Sequence, residues 1–146
     1  MGLTFGPSTS HPYYPTYLND PRNFSVGDSF SGGFLICKAG GIGWVVSPRS
    51  AEVSRSWYGR GDATTTAQSV SGCTGWFIPS LTQLQNPGYT CRSFWGTSPC
   101  YSTTNYWSDF SHSAAHTKFV EFSSGNCSFM SKNTTACVRA FRCVTY

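Results

Sequence analysis

Cysteine and histidine are the residues of this chain that could support nucleophilic or metal chemistry. The seven cysteines stand at positions 37, 73, 91, 100, 127, 137 and 143, and their odd number leaves at least one free or paired between chains. None are spaced as Cys-x-x-Cys, which disfavours the common zinc sites and thioredoxin-like sites. The cysteines are either small buried hydrophobic residues or members of roughly two or three disulfide bonds formed in an oxidising medium.

Catalysis by cysteine would need a thiol and a base within hydrogen-bond reach of each other. Cys137 and Cys143 flank the last predicted strand, whereas His112 and His116 fall in a predicted loop, and nothing in the sequence brings them together. The two histidines also lack the glutamate of the zinc-protease motif. We therefore predict no catalytic residue, no metal ion and no other cofactor, and we expect that the protein is not an enzyme.

Carboxylate chemistry is disfavoured by the scatter of the acidic residues. Calcium needs several oxygen ligands close together, and glycoside hydrolysis needs a pair of carboxyl groups. No two acidic residues lie within five positions of each other along the chain; they are Asp20, Asp28, Glu52, Asp62, Asp109 and Glu121.

The composition disfavours nucleic acids and lipid as partners. Charged residues make up 11% of the chain, against about 25% in an average soluble domain. The ten basic residues are scattered and leave a net charge of +4, whereas nucleic-acid binding needs a clustered basic patch. The sequence shows neither a secretory signal nor the roughly 20 consecutive apolar residues of a membrane helix. We expect no nucleic-acid partner and no membrane insertion.

Two regions of the chain differ in composition. Residues 1–24 are rich in proline and tyrosine and show no apolar period, which predicts an extended N-terminal arm. Residues 25–146 have the length and apolar content of one domain with its own core. The arm residues that we expect to dock the protein onto a larger assembly are Pro12, Tyr13, Tyr14, Pro15 and Tyr17.

Turn signals divide the domain into short strands and two short helices. Asp62 is positioned to cap the first helix, which would end at Gly72. Ser80 and Gln83 form a capping box at the start of the second helix. The buried face of the first helix would consist of Ala63, Ala67 and Val70. Strands are expected at residues 33–37, 44–47, 105–108, 117–122, 127–130 and 136–144.

This order of elements predicts an α+β fold, in which a twisted antiparallel sheet carries two short helices and long loops. The last three strands should form an antiparallel meander, and residues 33–37 should lie beside residues 136–144. The loop region 89–116 supplies the candidate ligand-binding residues, which are Tyr89, Phe94, Trp95, Tyr101, Asp109, His112 and His116. The alternative is that Trp95 and Tyr101 pack this loop onto the body of the domain.

Several separated motifs resemble one family. Residues 75–84 (GWFIPSLTQL) resemble the signature D-W-x-L-P-S-x-x-E-L, residues 106–109 (YWSD) resemble Y-W-S-S, and residues 138–142 (VRAFR) resemble V-R-x-V-R. These signatures belong to a bacterial and phage domain of unknown function that is grouped with C-type-lectin-like folds. The chain departs from them at Gly75, Gln83 and Asp109.

The resemblance implies a C-type-lectin-like domain with structural roles for the motif residues. Trp76 and Trp107 would anchor the core. Arg139 and Arg142 would pair with Asp28, Glu121 or loop carbonyls.

Relatives of this fold occur in phage tail-tip and fibre proteins that bind hosts. The resemblance therefore implies a non-catalytic bacteriophage virion protein of a fibre, tail or capsid that adheres to a glycan or protein receptor of the host surface. It would contact other virion proteins through the arm and form a homo-oligomer. A purely structural decoration protein of the virion and a secreted bacterial surface-binding domain remain as alternatives.

Overall fold

The computed structural model describes residues 20–96 and 105–146. The predicted docking residues of the arm, from Pro12 to Tyr17, lie outside the described residues. Within the described part of the chain the fold is mixed α+β, made largely of curled antiparallel sheet with two short α-helices. The prediction of an α+β fold with two short helices is confirmed.

Four strands form the first sheet. In spatial order they are β1 (Ser29–Phe30), β2 (Gly33–Ala39), β3 (Ile42–Val46) and β9 (Phe141–Thr145), and every neighbouring pair is antiparallel. β2 and β3 form a hairpin whose two turn residues, Gly40 and Gly41, have φ values of 60° and 78°. Two consecutive positive φ angles match the twist of a tight hairpin and favour glycine at both positions.

Five further strands form the second sheet. Their spatial order is β4 (Val53–Arg55), β8 (Ala136–Val138), β5 (Asn105–Trp107), β6 (His116–Glu121) and β7 (Cys127–Ser131). β5 and β8 run parallel and pair at Tyr106 and Cys137, whereas the other neighbours are antiparallel. The predicted single sheet is therefore two sheets, and the second contains one parallel pair.

The chain passes from the second sheet to the first at Arg139 and Ala140. These two residues separate β8 from β9, so the prediction of one strand over residues 136–144 is wrong. The predicted meander is also wrong, because β8 pairs with β4 and β5 rather than with β7. β3 rather than β2 lies beside β9, because β1 and β3 occupy both edges of β2.

Helix α1 (Asp62–Ser71) differs from its prediction at two positions. Its N-cap residue is Gly61, and Asp62 lies in the first turn, where its carboxylate pairs with Arg55 at 2.9 Å. A negative charge is favourable there because the amide groups of the first turn point toward it. Val70 is 49% exposed rather than buried. The predicted stop at Gly72 is confirmed, with a left-handed C-cap.

Helix α2 (Leu81–Gln83) begins with the predicted capping box. The Gln83 amide donates to Ser80 Oγ at 3.2 Å, and the Ser80 amide donates to Gln83 Oε1 at 2.9 Å. Pro79 is buried immediately before it. Gln83 therefore serves as the third residue of a complete capping box.

Two groups of buried apolar side chains fill the interior. The first contains Trp76 and Trp107 together with Leu35, Val45 and Val138. The predicted role of the two tryptophans as core anchors is confirmed. The second is an aromatic cluster formed by Trp95, Tyr106, Phe122 and Phe141, with neighbouring ring centroids 4.6–5.9 Å apart.

The end of the predicted arm packs on the first sheet. Pro21 is buried, and the Phe24 ring lies 4.7 Å from the ring of Phe30. Lys38 in β2 donates from Nζ to the carbonyl oxygen of Phe24 at 2.8 Å. These contacts attach residues 20–24 to the body of the domain.

A buried guanidinium joins the two sheets at the crossover. The side chain of Arg139 is fully buried, and its Nε donates to the Ser47 carbonyl oxygen at 2.8 Å. Its Nη2 donates to the Trp95 carbonyl oxygen at 3.3 Å, and its Nη1 lies 3.5 Å from Glu52 Oε1. The hydroxyl of Tyr106 donates to the same carboxylate oxygen at 2.5 Å. The expectation that Arg139 meets loop carbonyls is confirmed, but its acidic partner is Glu52 rather than Asp28 or Glu121.

Burial dominates the ionisation of this pair. Loss of solvent raises the pKa of Glu52 above its ordinary value, although the hydroxyl of Tyr106 and the charge of Arg139 act in the opposite direction. The same loss of solvent lowers the pKa of Arg139. The carboxyl group is therefore poised to take up a proton more readily than an exposed glutamate.

We expect Arg139→Met to lower the free energy of unfolding by about 3 kcal/mol at neutral pH. The change removes the buried cation beside the Glu52 carboxylate, which keeps a longer ion pair with Arg49 at 3.7 Å, and it leaves two carbonyl oxygens without this donor. Denaturant unfolding followed by tryptophan fluorescence measures the loss. The matched control is Arg55→Met, which breaks an exposed ion pair and should cost less than about 1 kcal/mol. Equal losses in the two variants would contradict the role assigned to Arg139.

The raised pKa of Glu52 predicts the sign of a pH effect. The folded state binds the carboxyl proton of Glu52 more tightly than the unfolded state does. Protonation of Glu52 therefore stabilises the folded state, and this contribution is fully present below the ordinary pKa of 4.5. It is lost as the pH rises through the folded pKa. Measured from about pH 4 to about pH 8, the stability of the wild type relative to Glu52→Gln should therefore fall. A relative stability that rises over this range would contradict the burial argument.

Candidate functional site

Exposed aromatic side chains gather around the loop of residues 108–115, between β5 and β6. Tyr58, Phe110 and Phe129 are 56%, 36% and 55% exposed. The Tyr58 hydroxyl donates to the Ala114 carbonyl oxygen at 2.9 Å, and the ring of His112 lies 4.8 Å from that of Phe129. We call Tyr58, Phe110, His112 and Phe129 the aromatic surface. Apolar rings exposed beside polar groups are typical of protein and ligand interfaces.

Phe129 is flanked by two nitrogen-bearing side chains. It lies in β7, at the edge of the second sheet, opposite Lys118 in the β6–β7 register. The ammonium of Lys118 is 5.1 Å from the centre of the Phe129 ring, and His112 meets the same ring edge to face. A ligand on this ring would meet an apolar face with a cation and an imidazole beside it.

The loop that carries Phe110 and His112 is held at its start. Asp109 pairs with Arg60 at 2.9 Å, and its amide donates to the Pro79 carbonyl oxygen at 2.9 Å. The indole of Trp57 donates to the Ser108 carbonyl oxygen at 3.1 Å. These bonds connect the loop to the segment before α1 and to the segment before α2.

The middle and end of the loop are also held. Thr117 donates from its hydroxyl to the Phe110 carbonyl oxygen. The Lys132 ammonium donates to Ser111 Oγ at 2.8 Å, and the Lys132 amide donates to the Ala115 carbonyl oxygen at 2.8 Å. The irregular path of this loop is therefore fixed by side chains from three other elements, which favours a preformed surface.

Two cations contact one buried indole beneath the loop. The guanidinium of Arg60 lies 3.5 Å from the centre of the Trp57 ring, and the ammonium of Lys132 lies 4.1 Å from it. Lys132 is only 4% exposed. A desolvated cation over an indole face is worth about 2 kcal/mol, so this stack is a principal support of the loop.

The predicted ligand-binding residues fall into two separate groups. Asp109, His112 and His116 lie together in and beside the loop of the aromatic surface. Asp109 anchors the loop through Arg60, whereas the side chains of His112 and His116 are exposed.

The remaining predicted residues lie elsewhere or are not described. Trp95 is fully buried, so its assignment to a ligand-binding surface is wrong. The half-buried Tyr89 packs edge to face on Phe122, with ring centroids 5.5 Å apart. Phe94 is 40% exposed, and its ring lies beside Gly27. Tyr101 lies outside the described residues.

Three aromatic residues of this surface were missed from sequence. Phe110 stands between Asp109 and Ser111, which is a signal of exposure, whereas Tyr58 stands between Trp57 and Gly59 and gives no such signal. Neither position indicates a common surface. Phe129 lies between Ser128 and Met130 in β7, and its ring is on the same face of the sheet as the part-exposed Lys118, a position that only the strand register reveals.

The described residues contain no group of three or more His, Cys, Asp or Glu side chains that could hold a metal ion. They also contain no helix that is long and apolar enough to cross a membrane. An open depression of about 430 Å³ lies at the β1–β2 turn and is lined largely by Phe24, Phe30, Phe34 and Pro48.

No model of a known protein family matches the chain, and no curated protein matches its sequence. The resemblance drawn from the separated motifs therefore stays a prediction.

We expect Lys132→Met to loosen the loop without unfolding the domain. The change keeps most of the aliphatic stem but removes the cation over Trp57 and the donor to Ser111. Amide hydrogen exchange in residues 108–115 should become about tenfold faster, which corresponds to ~1.4 kcal/mol. Exchange measured by mass spectrometry tests this.

The control is Lys118→Met, which removes a cation from an exposed ring and should leave the protection of the loop unchanged. Equal effects of the two variants, or no effect of Lys132→Met, would contradict the supporting role of the Trp57 stack.

Proposed function

We propose that this chain is a non-catalytic bacteriophage virion protein of a fibre, tail or capsid, which displays a C-type-lectin-like domain for adhesion to the host surface. The aromatic surface is the contact region, and its ligand is a glycan or a protein of the host envelope. The N-terminal arm attaches the domain to other virion proteins, and the protein acts as a homo-oligomer.

The observation that carries the proposal is the exposed ring of Phe129, with His112 and Lys118 beside it. Leaving a phenylalanine in water forgoes roughly 1.5–3 kcal/mol of burial energy, so its exposure on a well-anchored surface needs a reason. Binding recovers that energy when a sugar ring or an apolar side chain covers the aromatic face. The neighbouring ammonium and imidazole supply hydrogen bonds to hydroxyl, carboxylate or phosphate groups of the same ligand.

The proposal of a C-type-lectin-like scaffold rests on the motif residues and their contacts. Trp76 and Trp107 pack in the core, and Arg139 joins the two sheets where the chain crosses between them. Arg142 donates to the carbonyl oxygens of Thr74 and Ser31, which ties β9 to two loops. In such a scaffold long loops carry contact residues, and the positions of Phe110 and His112 on the 108–115 loop support this part of the proposal.

Adhesion can be tested with purified bacterial lipopolysaccharide and with cell-wall sacculi as immobilised probes. We expect saturable binding of the wild-type protein to one of these materials. Phe129→Ala should weaken that binding roughly tenfold or more, as for a central aromatic contact. The control is Phe94→Ala, which removes another exposed phenylalanine outside the aromatic surface and should leave binding unchanged.

Two results would contradict the proposal. Equal weakening by both variants would mean that the aromatic surface is not the contact region. Saturable binding to purified phage particles but to no envelope material would favour a structural decoration protein over an adhesin.

A further inference from the structure

Five of the cysteines within the described residues carry free thiols, namely Cys37, Cys73, Cys91, Cys127 and Cys143. Cys137 is disulfide-bonded. Two of the free thiols are neighbours: the side chains of Cys37 and Cys91 pack against the same aromatic cluster, and the nearby Cys91 helps to raise the pKa of the Cys37 thiol. Neither cysteine belongs to the aromatic surface.

The two residues come from distant parts of the chain. Cys37 lies in β2 next to a bulge, and Cys91 follows the helical turn Leu84–Tyr89 and precedes the turn Arg92–Phe94. β2 packs against both turns. Both thiols lie at the margin of the aromatic core cluster and are half-buried, so small reagents can reach them.

We propose that Cys37 and Cys91 are a redox pair that closes to a disulfide bond when the protein enters an oxidising medium, linking β2 to the segment that carries Trp95. The oxidant is a small disulfide such as oxidised glutathione. This inference concerns the stability of the domain and does not depend on what the aromatic surface binds.

The reaction is a pair of thiol–disulfide exchanges. The Cys91 thiolate attacks one sulfur of oxidised glutathione, which forms a mixed disulfide and releases one glutathione thiolate. The Cys37 thiolate then attacks the Cys91 sulfur, which closes the protein disulfide and releases the second glutathione thiolate. The protein loses two protons and two electrons, and one glutathione disulfide is reduced to two thiols.

The order of the two attacks follows from the surroundings of Cys37. Burial and the adjacent Cys91 raise the pKa of the Cys37 thiol, so its thiolate is scarce at neutral pH. The first attack is therefore assigned to Cys91. The closing step is intramolecular, which compensates for the low thiolate fraction of Cys37, and the closing rate should increase with pH.

The other described free thiols are held in different surroundings. Cys127 accepts a hydrogen bond from Gln85 at 3.4 Å, and Cys73 contacts the backbone of Ser71 at 3.8 Å. Cys143 shares a cross-strand row with Cys37, but Trp44 of β3 stands between them. Two strand spacings amount to roughly 9.5 Å, which exceeds the reach of a disulfide bond.

Closure of the disulfide bond would restrain the segment that carries Trp95. Trp95 follows the Arg92–Phe94 turn, fills the aromatic cluster and offers its carbonyl oxygen to Arg139. A crosslink between residues 37 and 91 also reduces the conformational entropy of the unfolded chain, which raises the free energy of the unfolded state. The oxidised protein should therefore melt at a higher temperature than the reduced protein.

The test uses the full chain in glutathione buffers of increasing oxidised fraction. Intact-mass measurement should show loss of two hydrogen atoms without a retained glutathione adduct, and non-reducing peptide mapping should join residues 37 and 91. The melting temperature should rise by several degrees on closure. Cys37→Ser should instead trap glutathione on Cys91, and Cys91→Ser should abolish closure.

Cys73→Ser and Cys143→Ser are the controls, and both should still form the 37–91 link. The proposal is overturned if the wild-type peptide map shows residues 37 and 91 unlinked, linked to other cysteines, or carrying only glutathione. Because the map is made on the wild-type protein, it decides the matter even where a serine variant fails to fold.

Discussion

The buried charge of Arg139 is the constraint on which the arrangement of the two sheets depends. A guanidinium without solvent must find acceptors, since an unpaired charge in the interior costs several kcal/mol. Its acceptors come from the end of β3, from the residue before β4 and from the segment that ends in Trp95. Each of these segments is irregular, and each is fixed where it meets the same side chain. The crossover between the sheets and the aromatic cluster are thus specified by one polar centre.

Local signals in the sequence predicted local structure well. The capping box at Ser80 and the glycine stop at Gly72 depend on bonds between residues that are close in sequence, and both were found where expected. Asp62 was misplaced by one position, because an acidic residue is favourable both as a cap and in the first turn of a helix. Val70 was misassigned because only Ala63 and Ala67 of α1 pack into the core, and the last turn of this helix is exposed.

Long-range pairing could not be predicted in the same way. Residues 136–144 contain no proline, glycine or other turn signal and were predicted as one strand, and nothing local reveals that Arg139 and Ala140 interrupt it. The interruption depends on Ser47, Glu52 and Trp95, which are far away in sequence. The binding residues followed the same rule. The sequence left Trp95 either as a ligand-binding residue or as packing for its loop, and ring contacts with the distant Tyr106, Phe122 and Phe141 make it packing. The exposure of Phe129 likewise depends on strand register, which places its ring opposite the part-exposed Lys118 of β6.

The shared use of residues 136–145 by both sheets bears on the course of folding in the cell. β8 is inserted between β4 and β5, and β9 completes the row that starts with β1. In a nascent chain that still lacks these residues, each sheet is missing one strand. The aromatic side chains that would pack against that strand are then exposed. Completion must therefore wait until the segment has left the ribosome, so a chaperone that shields the incomplete chain would have most effect during this interval.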